Sequence, residues 1–570
     1  MKGAERMNPS RTEAIKTLTT TGMPYALENG LINGRPCRFF THAPHTLGQL
    51  FADNVSDKTF LVYEDERLTF SEVYDQAMQL ANILASEFGV KHGDRVAISM
   101  RNYPEWVISF MAVTAMGGVA VCMNALWQTD EIEYGLTHSG SKVFIADEQR
   151  LQRVAPIANK LGLKIIGTRY ENLGSLPSCR SFSELLAQNP STDLSWAAVG
   201  PDDYATIFYT SGSTGHPKGA VSCHRNIISA LFSWELDLAA RQLELGVSPP
   251  PATEQAATLL AVPLFHATGS HAVFLQSYRA QRKMVSMYRW DPMQAVHLIE
   301  SERITSFVAP AAMTGDLIEA GKQTNADLSS LLSVGGGGAP RAPAQVQNIP
   351  EAFTNALPST GWGMTETNAI GTGIGGEDYL LRPASSGRCS AVLDILIVDD
   401  AGNPLPSGER GELRIRGASV IDRYWDRPEA NAETFEDGWL KTGDVAYLDD
   451  EGYLFIVDRI KDLVIRGGEN IGCAEVEAAL LALDQVLEAS VYAVPDARLG
   501  EEVGATLYSQ HNLNITDIQT QLASHIAKFK IPRYIHLQSE PLPRIASGKI
   551  DKRALRAIAA DRLGLAGESV

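Results

Sequence analysis

Lys218 closes a run, YTSGSTGHPKGA (209–220), in which glycines and hydroxyl side chains crowd around one positive charge. Gly212, Gly215 and Gly219 admit backbone angles other residues avoid, and Pro217 removes a donor, so the run is neither regular helix nor strand. Before it, ATIFYT (205–210) is rich in β-formers and reads as a short buried strand. After it, helical spacing of apolar residues begins at Asn226. Such a loop turns N–H groups and hydroxyls toward one point, which suits a polyanion, with Lys218 as a mobile charge. A flexible Gly/Ser linker shares the composition, but linkers seldom follow a buried strand directly. The Walker A spacing fails. Pro217 stands five after Gly212, and Gly219 rather than Ser or Thr follows the lysine.

Five further segments carry residues that phosphate chemistry would use. VGGGGAPR (334–341) lets backbone approach a flat ligand closely. GWGMTETN (361–368) offers the aromatic face of Trp362, the Thr365 hydroxyl and the Glu366 carboxylate. A carboxylate beside phosphate calls for a cation between them, and Mg²⁺ takes one or two carboxylates plus phosphate oxygens. KTGD (441–444) ends in Asp444, which suits ribose hydroxyls. DRIKDLVIRGGENI (458–471) holds Arg459, Lys461 and a Gly467-Gly468 turn, and PLPRIASGKIDKRAL (541–555) sets Lys549 on a Ser-Gly loop. Taken singly, each has a plain structural alternative: a loop, a helix cap, a turn, a charged hairpin, a solvated lysine.

The elements that must position these residues fall into two textures. RVAISM (95–100), VAVC (119–122) and KVFIAD (142–147) read as strands separated by helical stretches, a doubly wound α/β pattern. Residues 106–128 carry no charge and could span a bilayer, but Gly117-Gly118 splits them into helix and strand. From about residue 385, LDILIVDDAGNPLPSGERGELRIRG and YLDDEGYLFIVDR read as antiparallel hairpins. Beyond Arg459 come a helix at 474–483, strands in VLEASVYAVP and EVGATLYSQ, an amphipathic helix at 516–529 and a last helix from Asp551. The expected fold is therefore α/β. A large N-terminal domain (1–460) combines doubly wound α/β subdomains with a β-rich one, and a small α+β C-terminal domain (461–570) has its own core.

Composition bounds the partners. The 570 residues are 44% hydrophobic and carry a net charge of −18, which argues against general nucleic-acid or anionic-membrane binding. Six cysteines without a CxxC pair, and an N-terminal stretch without an apolar run, imply reduced thiols and a cytoplasmic protein with no integral membrane association. A homodimer stays open.

In their joint order YTSGSTGHPKGA, GGGGAP, GWGMTE, TGD, VDRIKDLVIRGGENI and PRIASGKIDKRAL resemble the core signatures of the adenylate-forming superfamily, and RGGENIGCAEVE is most similar to its acyl-CoA ligase branch. The resemblance covers about 46–556 and implies the following. ATP activates a carboxylic acid to an acyl-adenylate with release of pyrophosphate, and coenzyme A then displaces AMP. Thr210, Ser211, Gly212, Ser213, Thr214, Gly215 and Lys218 would hold phosphates; Thr365 would touch phosphate and Glu366 would hold Mg²⁺. Gly337, Gly338 and Ala339 would line the adenine and acyl channel, with Trp362 stacked on adenine beside Gly363, where the family usually has Tyr. Asp444 and Arg459 would bind ribose, and His266 in PLFHATG would sit by the carboxylate. Lys549 would bridge carboxylate and α-phosphate. The small, mobile domain would then pivot at Lys461 and present Gly467-Gly468 to the pantetheine. The acyl wall drawn from 264–270, 307–313, 334–338 and 362–371 is apolar, so a hydrophobic monocarboxylate such as a fatty or bulky alicyclic acid is expected. An aromatic acid, an acyl-AMP ligase loading a carrier protein, and a nucleotide-binding protein without catalysis remain as alternatives.

Overall fold

Strands β1 (Arg95–Ser99), β2 (Val119–Cys122) and β3 (Val143–Asp147) are buried almost throughout, as parallel strands covered on both faces must be. Helices α1 (Pro104–Ala115), α2 (Thr129–Ser139) and α3 (Glu148–Leu161) alternate with them. Adding β4 (Lys164–Thr168), β5 (Cys179–Ser181), β6 (Tyr204–Thr210) and β7 (Lys218–Cys223) gives a seven-stranded sheet of order β7-β6-β2-β1-β3-β4-β5. The structure is a computed structural model that describes residues 9–563 apart from 33, 172–175, 177, 190–197, 211–216, 248–253, 338–340, 461, 468, 497 and 546–548. Ser211, Gly212, Ser213, Thr214, Gly215, Gly338, Ala339, Lys461 and Gly468 lie outside the described residues.

The uncharged stretch at 106–128 is core. Every residue of α1 but Glu105 is buried, with Trp106 stacked on Phe110 at 5.2 Å and Phe110 edge-on to Phe274 at 5.8 Å. Among the described residues no helix is long and apolar enough to cross a membrane.

β7 is a difference from the sequence reading, which went from the glycine-rich loop to a helix. Gly219–Cys223 is buried and pairs antiparallel with β6, with Thr210 opposite Lys218. One strand ends at Thr210 and the next begins at Lys218. Helix α4 (His224–Leu245) starts only after β7.

A second sheet has 14 strands. Its parallel centre is ordered β9-β8-β10-β11-β12, from β8 (Ala257–Leu260), β9 (Lys283–Ser286), β10 (Ser306–Ala309), β11 (Ser333–Gly336) and β12 (Leu357–Thr360). Between β8 and β9 the chain forms a π-helix, Thr268–Leu275, that runs on into α5 (Gln276–Arg279). Such wide turns recur at functional sites. Past β12 the sheet turns antiparallel through β13 (Thr372–Gly375), β14 (Leu393–Val398), β15 (Gly411–Gly417), β16 (Trp439–Leu448) and β17 (Tyr453–Arg459). The two hairpins expected from residue 385 onward are β14–β15 and β16–β17.

The C-terminal part has its own five-stranded sheet, with β18 (Val464–Arg466), β19 (Glu469–Ile471), β20 (Glu488–Asp496), β21 (Gly500–Tyr508) and β22 (Tyr534–Gln538). Val464, Val476, Val491, Val503 and Leu507 form its separate core. The helix expected over 516–529 spans only Ile515–Leu522. Its buried face is Ile518 and Leu522, and Ile526 reaches the core after the helix has ended. A mixed α/β fold with a large N-terminal and a small C-terminal domain results, as the sequence implied.

Candidate active site

A cleft of about 1110 Å³ opens where β10, β11 and β12 end, at Pro310, Gly336, Gly337 and Thr360. Carboxyl ends of parallel strands are where open α/β sheets hold ligands. Thr210, His266, Gly337, Gly363, Thr365, Glu366 and Arg459 line it from the large domain. Lys549 and Ile545 reach it from the small one, on a loop tied by Ile545 N–H donating to the Lys549 carbonyl at 2.9 Å. Residues from distant parts of the chain thus face one space.

Charge is concentrated around Lys549. Loss of water from around its ammonium and the nearby Arg459 guanidinium push its pKa down, while the Asp444 and Glu366 carboxylates pull it back up. Asp444, buried in β16 opposite Arg459 at the end of β17, uses both oxygens: Arg459 Nε lies at 2.5 Å and the Trp362 indole N–H donates at 2.7 Å. Burial raises its carboxyl pKa despite Arg459, Trp362 and Lys549. Glu366 is buried in a short 3₁₀ turn (Thr365–Thr367) and accepts a hydrogen bond from the Tyr424 hydroxyl at 2.7 Å. His266 has its Nε2 shielded from solvent and, among the described residues, without a hydrogen-bond partner. Burial, then the Lys549 charge, lowers its pKa to about 4, so the ring is neutral at neutral pH.

Not every expected residue lines the cleft. Lys218 holds its ammonium over the Tyr424 ring at 5.1 Å. Gly467, at φ 59°, sits in the β18–β19 turn away from the cleft, its N–H donating to the Leu499 carbonyl at 2.8 Å. Gly363 is there for space: a Cβ would lie 2.6 Å from the Ala369 carbonyl oxygen. Trp362 lies behind the cleft wall, with its N–H committed to Asp444.

Sequence reading missed two features. Tyr424, which touches both Glu366 and Lys218, belongs to no glycine-rich or charged motif. The cleft also extends past the expected apolar segments. Trp234 and Leu238 of α4, and Arg279 and Arg282 around α5, line a distal half that is strongly charged.

The chain is similar to known proteins in sequence and fold. Residues 49–425 match the family model described as AMP-binding enzyme, and residues 475–549 match that of the AMP-binding enzyme C-terminal domain. The long-chain-fatty-acid–CoA ligase FadD13 of Mycobacterium tuberculosis is 31% identical over 86% of this chain and 93% of its own. The solved anthranilate CoA ligase AuaEII, in complex with anthranoyl-AMP, has a TM-score of 0.82 at 26% identity, covering 91% of this chain and 98% of that one. The O-succinylbenzoate coenzyme A synthetase of Bacillus subtilis, in complex with ATP and magnesium ion, has a TM-score of 0.75 at 29% identity, covering 90% and 99%. The chain belongs to the AMP-binding enzyme family, in its acyl-CoA synthetase branch, and is an AMP-forming acid–thiol ligase.

Proposed function

We propose that the protein activates a hydrophobic carboxylic acid with ATP and passes the acyl group to coenzyme A. The observation that carries this is the meeting of Lys549, His266, Glu366 and the Asp444–Arg459 pair around one cleft. The first step joins two anions. The acid's carboxylate attacks the α-phosphorus, the bond to the β-phosphate oxygen breaks, and pyrophosphate leaves. The Lys549 ammonium lies among the charges that this step must balance, and a cation there stabilises the transition state more than the separated reactants. His266, neutral and among the described residues without a partner on Nε2, offers a hydrogen-bonding edge to the carboxylate without adding a competing charge. Arg459 and Asp444 hold the ribose side and Thr210 and Thr365 the phosphate side, which Lys218 joins on leaving the Tyr424 ring. In the second step the thiol sulfur attacks the acyl carbon and AMP leaves.

Glu366 suits Mg²⁺. It is a single buried carboxylate held by one hydroxyl, and among the described residues no cluster of three acidic, His or Cys ligands occurs. That fits an ion completed by phosphate oxygens, which when bound supplies charge neutralisation to the phosphates.

Ala272, Val308, Ile370 and Ile374 along the middle of the cleft support an apolar acyl chain. We assign the hinge between the domains to 460–461, in the interval that the two family matches leave open. All six cysteines are free, which fits a reducing cytoplasm. The test is acid-dependent AMP formation with coenzyme A over a panel of aliphatic, alicyclic and aromatic acids. Turnover with hydrophobic aliphatic or alicyclic acids supports the reading. Turnover with small polar acids alone, or acceptance of a carrier-protein thiol but not coenzyme A, overturns it.

A further inference from the structure

The distal half of the cleft carries one positive charge more than it balances. Arg279 pairs with Glu235 at 2.9 Å, and Arg11 pairs with Asp237 at 2.6 Å. Further along the wall Arg388 meets Glu244 at 3.4 Å, and Arg241 meets Asp378 at 3.8 Å. Arg282 follows α5 and lines the same wall. Its main-chain N–H bonds Ser277, but among the described residues its guanidinium has no hydrogen-bond or ion-pair partner. Burial holds its pKa below the usual arginine range, and Glu235, already engaged by Arg279, is the one acid that offsets this. The group remains charged, half-buried and free to accept an anion.

Its place in the fold matters as much as its charge. His266 precedes the π-helix and Arg282 follows α5, so the helical run separates them. Twelve helical residues at 1.5 Å each set an upper span of about 18 Å. The sheet gives a similar length: Thr305 and Leu332, at the starts of β10 and β11, line the distal end, while Pro310 and Gly337 line the reacting end. Five strand residues advance about 16 Å. Lys549 and the small domain stand at the reacting end, so Arg282 faces the tail of the acyl group and not the nucleotide or the thiol.

We infer that the preferred acid carries a second carboxylate at its far end, which Arg282 holds while the reacting carboxyl lies by His266 and Lys549. The substrate class is a long α,ω-dicarboxylic acid with an apolar middle. A chain on the order of twelve bonds, each advancing little more than 1 Å, would fill the span. Arg279 and Glu235 orient the wall, and Arg282 supplies the unpaired donors. The inference rests on the proposed ligation of a hydrophobic acid and specifies that acid further.

The experiment compares dodecanoic with dodecanedioic acid, and shorter and longer homologues of each, in coenzyme-A-dependent AMP release. The native enzyme is expected to favour the diacid by about 10- to 100-fold in kcat/KM, the range of one charge-assisted hydrogen bond. Arg282→Met and Arg282→Gln are expected to abolish that preference, chiefly through KM. A native enzyme that turns over monoacids as well as or better than diacids at every length overturns the inference and leaves the proposed ligation standing. A preference that survives in both variants also overturns it. Turnover with neither class removes the hydrophobic-acid reading itself, and this inference with it. The preference of the native enzyme is decisive alone, so a variant that fails to fold does not shelter the proposal.

Discussion

Trp362→Phe keeps an aromatic face but deletes the indole N–H that donates to Asp444 Oδ2 at 2.7 Å. Asp444 is buried, so water cannot fully replace the donor, and Arg459 on the other oxygen is left as its principal partner. A hydrogen bond to a charged group contributes about 1.5–3 kcal/mol. At 1.36 kcal/mol per pKa unit, its loss raises the Asp444 carboxyl further by about 1–2 units. The sign follows from which form gains: Trp362 stabilises the carboxylate, so without it the neutral acid persists to higher pH. The assay is kcat/KM for ATP in acid-dependent pyrophosphate release across the pH range. The acidic limb of the profile is expected to move toward neutrality in the variant, with the two enzymes converging at alkaline pH. Thermal stability provides a second readout. The variant's deficit is expected to shrink as acid protonates Asp444. A limb that stays in place, or a uniform loss of rate at every pH, refutes the reasoning and assigns Trp362 to packing alone.

Two further predictions concern the frame around the site. Gly363→Ala would place a Cβ 2.6 Å from the Ala369 carbonyl, so about 1–3 kcal/mol of overpacking is expected, read as a lower melting temperature and a raised KM for ATP. His224, His266 and His271 have pKa values lowered by burial to about 4, against about 6.5 in the unfolded chain. The folded state therefore refuses protons that the unfolded state takes, and stability is lost as pH falls from about 6.5 to about 4, by about 1.4 kcal/mol per pH unit for each histidine. His271→Asn removes one of these, and its melting temperature is expected to fall less steeply with acid than that of the native protein.

Much of the frame was legible because its signals are local. The strands Arg95–Ser99, Val119–Cys122 and Val143–Asp147 are continuously apolar, and that suffices to mark buried parallel strands. Strand Lys218–Cys223 was not legible, because its identity depends on pairing across the loop with Tyr204–Thr210. The Trp362–Asp444 contact joins residues 82 apart, and nothing in either motif names the other. The charged distal half of the cleft was hidden for the same reason. Glu235, Arg279 and Arg282 are scattered charges in the sequence until the fold turns them onto one wall. Lys549 was conspicuous by motif, yet only the docked small domain brings it beside Glu366 and Asp444.

In the proposed reaction one lysine from the small domain serves adenylation and is dispensable afterwards. Lys549→Ala, assayed separately for acid-dependent ATP–pyrophosphate exchange and for coenzyme A transfer from supplied acyl-adenylate, tests it most directly. A loss of about 10²–10³ in exchange is expected, the scale of removing one transition-state charge partner, with transfer largely kept. Exchange at the native rate, or equal loss in both half-reactions, would contradict it.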